Sequence, residues 1–195
     1  MRVVLATGNA HKRQEMAAII AALGLPLVLV EPAGPLPEVV EDGDTLEANA
    51  LKKARSVALA LGLPALADDT GLEVDALGGA PGHHAARYAG PEQDAGKNVA
   101  KLLRALEGVP AERRSARFRC VMALVLDPRG EPIVAEGTVE GEIADAPAGG
   151  AGFGYDPVFF VPERGCTLAE LGEDEKNRLS HRYRALEALG RRLPR

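Results

Sequence analysis

Residues 2–30, RVVLATGNAHKRQEMAAIIAALGLPLVLV, read as strand, helix, strand. Arg2–Thr7 is a short apolar run that ends in Gly8-Asn9. Met16, Ile19, Ile20 and Leu23 then recur at helical spacing, and Gly24 suits a helix stop. Leu27–Val30 is apolar again. Outward from this unit, Glu31–Gly43 is an acidic loop rich in Pro and Gly. Asp44 or Thr45 can cap a helix to about Leu61, with Leu46, Ala50, Ala54, Val57, Ala58 and Leu61 on one face, and Gly62 and Pro64 end it. Ala65–Ala67 makes a third short strand, with Asp68-Asp69-Thr70-Gly71 as its mouth.

The second half changes character. Leu72–Leu77 is strand-like, residues 78–90 form a loop, and a helix follows from about Glu92 to Leu106. Ala116–Leu126 and Pro132–Ile143 read as a long antiparallel pair around Asp127-Pro128-Arg129-Gly130. A Gly/Pro loop over 146–157 leads to a strand at Val158–Val161; Thr167 and Glu170 fit a capping box, and Ser180 suits the start of a last helix to Leu193. This order predicts a single α/β domain over residues 1–195, with a mixed central sheet, flanking helices and two lobes around a substrate cleft.

Bulk properties narrow the function. No run approaches the ~18–20 apolar residues of a membrane span, and the N-terminus is too short in apolar residues for a signal peptide. The expectation is a cytoplasmic protein without a membrane partner. The net charge of −5 lacks the basic footprint of nucleic-acid binding. Cys120 and Cys166 have no CxxC spacing, and the four histidines are not spaced as a zinc set.

Four places look chemical. Thr7-Gly8-Asn9-Ala10-His11-Lys12 turns from strand into helix, where unpaired N–H groups and the helix dipole suit phosphate oxygens and Lys12 adds a full charge. Its plainer reading is that Asn9 caps the helix while Lys12 is solvated. Asp68-Asp69-Thr70 follows an apolar strand; side chains alternate along extended backbone, so only one aspartate faces a given site, where it would suit a hard cation. The acidic loop Leu36-Pro37-Glu38-Val39-Val40-Glu41-Asp42-Gly43 can carry a second metal carboxylate, or is simply solvated. Late in the chain, Phe153-Gly154-Tyr155-Asp156 offers rings for stacking on a base and a carboxylate for ring N–H or ribose groups, while Lys176, His181 and Arg182 add donors. Alternatively the two rings are core and the basic residues surface. His83 and His84 read as loop residues.

Taken together, the stretches TGNAHK (7–12), the LPE…EDG…T…NA..KA run (36–54), ADDTGLEVDALGGAPG (67–82), ARYAG (86–90), ARFRC (116–120), GFGYDPVFF (152–160) and EKNRLSHRYRAL (175–186) resemble the inosine/xanthosine triphosphate pyrophosphatase family. They span nearly the whole chain in one order. The resemblance implies a two-lobed α/β fold, a homodimer, and a Mg²⁺-dependent reaction in which water attacks the α-phosphorus and pyrophosphate leaves. It implies that Thr7, Gly8, Asn9, Ala10, His11 and Lys12 bind the triphosphate, that Asp69 is general base and metal ligand with Glu38 or Glu41, and that Thr70 lies beside the substrate. Phe153, Gly154, Tyr155 and Asp156 would line base and sugar, with Lys176, His181 and Arg182 completing the purine and phosphate contacts. One departure stands out: many relatives read Gly-Val-Tyr-Ser-Ala-Arg-Tyr where this chain has Gly82-His83-His84-Ala85-Ala86-Arg87-Tyr88. The rival readings are a Maf-like pyrophosphatase acting on pyrimidine or modified-base nucleotides, a nucleotide-binding regulator without catalysis, and a nucleic-acid-binding module.

Overall fold

The computed structural model describes residues 1–32 and 34–194. Its elements are β1 (Arg2–Leu5), α1 (Ala10–Ala22), β2 (Val28–Val30), α2 (Leu46–Leu61), β3 (Ala65–Val74), β4 (Pro81–Gly82), α3 (Ala95–Ala105), β5 (Ser115–Val125), β6 (Ile133–Ile143), β7 (Phe159–Val161), β8 (Cys166–Thr167), α4 (Glu173–Leu179) and α5 (His181–Gly190). The sheet runs β2-β1-β3-β5-β6-β7-β8, with β4 attached to β3. β1 is parallel to both β2 and β3, whereas β4, β7 and β8 pair antiparallel with their neighbours. The mixed sheet matches the expectation. No helix among the described residues is long and apolar enough to cross a membrane.

The chain divides into two compact units, Met1–Asp69 with Cys120–Gly137 and His181–Arg195, and Thr70–Arg119 with Thr138–Ser180. In the first, strand alternation sorts side chains onto two faces. Val3, Leu5, Leu66, Cys120, Met122 and Leu124 pack with Met16, Ile19 and Ile20 of α1 and Ala185, Leu186 and Leu189 of α5. Val4, Ala6, Ala65, Ala67, Val121, Ala123 and Val125 pack with Ala50, Ala54, Val57 and Ala58 of α2. β1 thus sends the chain through α1 to β2 on one side, while β3 flanks it on the other. In open α/β sheets ligands gather at such a reversal, beyond the carboxyl ends of the strands.

In the second unit Leu72, Val74, Phe118, Val139, Tyr155 and Phe159 form the core, with Val99 and Leu102 of α3 against them. The caps follow the sequence: Thr45 Oγ1 accepts from Ala48 N at 3.1 Å, Gly62 takes the left-handed conformation at φ 65°, and Thr167 and Glu170 complete their capping box.

One segment differs from the expectation. The pieces read as Ala65–Ala67 and Leu72–Leu77 are a single strand, and Asp68–Gly71 runs inside it rather than forming a mouth. The strand continues because each aspartate finds buried partners on its own face, and because Gly71 admits β4: a Cβ there would lie 2.9 Å from Gly82 O. The last helix also ends at Gly190, and a separate α4 precedes it.

Gly137 on β6 lies against the backbone of α5 in the first unit. A Cβ at this position would overlap Ala185 N and His181 O of α5. Since both obstacles are backbone, neither can rotate aside. Gly137→Ala is expected to destabilise the protein by roughly 1–3 kcal/mol, the usual cost of overpacking, read as a lower thermal midpoint; an unchanged midpoint would contradict the packing described.

Candidate active site

At the end of β1, Thr7 Oγ1 accepts from Asn9 N at 3.2 Å, and Asn9 Oδ1 accepts from Lys12 N at 3.2 Å. Asn9 therefore caps α1, whose first turn holds no acidic residue. Gly8, Asn9, Ala10 and His11 are exposed and Thr7 is half-buried. Lys12 is not simply solvated. Its Nζ donates to Asp68 Oδ2 at 3.0 Å, so the ammonium is held beside the exposed N–H groups of the turn.

Alternation along β3 turns Asp68 and Asp69 to opposite faces. Asp68 is only 2% exposed, on the α1/α5 side. Arg182 Nε donates to the same Oδ2 at 3.2 Å, and Arg182 Nη1 donates to Glu15 Oε2 at 3.1 Å. Burial alone would raise the Asp68 pKa, but Lys12, Arg182 and Lys53 together hold it well below the usual carboxylate range. Asp68 is a permanent anion that anchors two cations.

Asp69 faces α2. Its Oδ1 accepts from Lys53 Nζ at 2.9 Å, and its Oδ2 accepts from Asn49 Nδ2 at 3.2 Å. Lys53 Nζ also donates to Glu41 Oε2 at 3.0 Å, so one ammonium bridges two carboxylates. Burial raises the Asp69 pKa above the ordinary aspartate value and Glu41 adds to the rise, while Lys53 opposes it. Burial pushes Glu41 upward too, but Lys53 outweighs it and the net shift is down. Glu38, by contrast, is exposed. Of the two loop acids, Glu41 is the one joined to Asp69.

The remaining sequence candidates except His181 and Arg182 lie in the second unit. Asp156 is buried, and its Oδ2 accepts from Phe153 N at 2.9 Å and from Lys176 Nζ at 2.7 Å. Lys176 Nζ lies 4.9 Å from the centroid of the half-buried Phe153 ring. Tyr155 enters the core and donates its hydroxyl to Ala85 O at 2.8 Å. Gly154 takes φ 66°, the left-handed turn that presents the segment. Thr70 is half-buried on β3. His181 and Arg182, at the start of α5, are buried in the first unit.

A family model described as the Ham1 family matches residues 3–192. The chain belongs to the Ham1 family. Among its relatives, the dITP/XTP pyrophosphatase of Geobacillus kaustophilus is 50% identical over 187 residues, covering 96% of this chain and 91% of that protein. The dITP/XTP pyrophosphatase of Xanthomonas campestris pv. campestris is 53% identical over 192 residues, covering 98% and 96%. The solved structure of a HAM1 protein from Coxiella burnetii superposes with a TM-score of 0.86 at 42% identity, covering 98% of this chain and 97% of that one.

In this Ham1 protein no group of three or more His, Cys, Asp and Glu side chains among the described residues forms a metal cage. Glu41 and Asp69 nevertheless face one cation, the Lys53 ammonium. Two carboxylates fit a hard divalent ion that completes an octahedral shell with water and substrate phosphate oxygens. Asn49 and Lys53 are the N and K of the NA..KA run, quoted above without a role for either. The signal was there: both are polar positions, one turn apart, on the otherwise apolar face of α2.

Proposed function

We propose that this chain hydrolyses the non-canonical purine nucleoside triphosphates dITP, ITP and XTP to the monophosphate and pyrophosphate, with Mg²⁺, as a cytoplasmic homodimer. The observation that carries the reading is the pairing, within one unit, of an anion-accepting helix start after β1 with a half-neutralised acid pair on and beside β3. The names of relatives about 50% identical over nearly the full chain support the same activity.

A triphosphate brings about four negative charges, so holding and neutralising them is the main task of the site. The partly positive start of α1 and the Lys12 ammonium take the phosphate oxygens. Glu41 and Asp69 would hold Mg²⁺, which when bound neutralises phosphate charge and acidifies a water. Asp69 orients the water that attacks the α-phosphorus and takes its proton; burial makes this carboxylate a better base than an exposed aspartate, while Lys53 opposes the rise. Lys53, with its own pKa raised by Asp69, Asp68 and Glu41 against the opposing effect of burial, stays charged throughout. In the second unit, the half-buried Phe153 offers a ring for stacking on a base. Asp156 serves by fixing Lys176 and the Phe153 backbone, and Tyr155 by anchoring the segment in the core.

Donors fixed by the Ser180–Arg182 segment are assigned to the purine 6-position. Inosine and xanthosine present a 6-keto acceptor, while adenine presents an amino donor that would meet these donors head-on. Sites built on hydrogen bonds discriminate by ~10⁴-fold or more. Pyrophosphate release should be seen from dITP, ITP and XTP, should need Mg²⁺, and should be far slower from ATP. Comparable kcat/KM for ITP and ATP would contradict the specificity, and tight binding without release would favour a regulator. Sedimentation at assay concentration tests the dimer.

A further inference from the structure

Asn49 is a side-chain amide, 1% exposed, on a helix face that carries, besides Lys53, the apolar Leu46, Ala50, Ala54, Val57 and Ala58. An amide in such a place is costly unless both ends are bonded, and both are. Its Oδ1 accepts from Gly43 N at 2.8 Å, and its Nδ2 donates to Asp69 Oδ2 at 3.2 Å. The backbone donor at Gly43 leaves the amide one orientation, because only the oxygen can face an N–H. The NH₂ group therefore has to point at Asp69.

The second oxygen of Asp69 is taken by Lys53, one helical turn further along α2. The carboxylate is held at both oxygens by one helix, which restrains its rotation. Gly43 lies two residues beyond Glu41, and the same amide ties the loop that carries Glu41 to the strand that carries Asp69. The approach of that loop needs a glycine: a Cβ at position 43 would lie 2.8 Å from both Asn49 Oδ1 and Ala48 Cβ.

We propose that Asn49 is a positioning residue for hydrolysis, holding the Asp69 carboxylate in the plane, and the Glu41 loop at the distance, that let both acids face one cation and the attacking water. The inference rests on the reading of Asp69 as general base. Partners that orient the residues of a metal or catalytic site typically carry roughly 10–100-fold of its activity.

The test is a double-mutant cycle of Asn49→Asp and Asp69→Asn, with kcat and KM for ITP and the thermal midpoint measured for all four proteins at enzyme concentrations that resolve the residual rates. Asn49→Asp keeps the shape and still accepts from Gly43 N, so an amide with a merely structural role would be replaced with little effect on turnover. Here it sets an acceptor against Asp69. The expected result is a kcat loss of about 10–100-fold in the parent with a much smaller change in KM. On the Asp69→Asn background the loss should fall below about 3-fold, because the introduced carboxylate then meets an amide again. Equal losses in both backgrounds, or a parent loss below about 3-fold, would overturn the proposal. If Asn49→Asp does not fold, Asn49→Ala enters the same cycle: a loss confined to the Asp69 background supports positioning, and equal losses overturn it. Near-parent turnover of Asp69→Asn alone would remove the general-base reading and this inference with it, a failure visible in that single variant and distinct from additivity.

Discussion

Asp69→Asn is expected to lower kcat for ITP at least about 10²-fold, the lower end of what loss of a general base costs, with a smaller effect on KM. The substitution preserves shape, so the loss reports chemistry rather than packing. Asparagine has no proton affinity near neutral pH, and its amide would turn a donor toward Lys53 or Asn49, both of which already donate to this position. Glu41 would then face the Lys53 ammonium without a second carboxylate to share it. Steady-state pyrophosphate release at saturating ITP and Mg²⁺ is the measurement, and turnover close to the parent's would take Asp69 out of the mechanism.

Arg182→Met is expected to be the most destabilising of the changes considered, by about 3–5 kcal/mol, the usual cost of removing one member of a buried ion network. Arg182 is 3% exposed, and its guanidinium joins Glu15 on α1 to Asp68 on β3. Glu15 Oε1 is already buried without a hydrogen bond, so the loss of Arg182 strips Glu15 of the bond that its other oxygen makes. Asp68 would lose one of the two cations that meet its Oδ2 and keep the other, Lys12. Urea unfolding at pH 7 measures the difference, which for a chain of this size corresponds to a fall in thermal midpoint on the order of 10 °C. Because the folded-state pKa of Asp68 is depressed, its contribution to parent stability is complete above the ordinary aspartate pKa of about 3.9 and is lost as pH falls toward the folded value. Without Arg182 the folded-state pKa of Asp68 rises, so acid protonates Asp68 in the folded variant before it does in the folded parent, and the gap between the two should narrow as the pH falls through that range. A gap that is small at pH 7, or that widens on acidification, would contradict the network.

Much of this was legible in the sequence because it depends on local rules. The strand–helix–strand opening, the Thr45 cap, the capping box at Thr167 and the opposed directions of Asp68 and Asp69 follow from spacing and alternation, which neighbours do not alter. The Asp68–Gly71 segment reads wrongly as a strand end because two adjacent acids look like one. Only the partners from α1, α2 and α5, distant in sequence, show why a strand can continue through them. Which of Glu38 and Glu41 is linked to Asp69 stays open in the sequence for the same reason, since the link runs through Lys53 on another element. Tyr155 and Asp156 look like groups for a ligand, whereas the fold gives them Ala85 O and Lys176. Asn49 and Lys53 escape a reading that seeks chemistry in loops, because they form a polar pair inside an apolar helix face.

The most direct measurement is a crystal structure of the protein with a non-hydrolysable inosine triphosphate analogue and Mn²⁺, the metal located by its anomalous signal. The expected result is a metal peak at coordination distance, about 2.1 Å, from Asp69, with Glu41 beside it and the triphosphate against the start of α1 and the Lys12 ammonium. A metal peak away from Asp69, or a triphosphate more than about 10 Å from it, several times any coordination distance, would contradict the account.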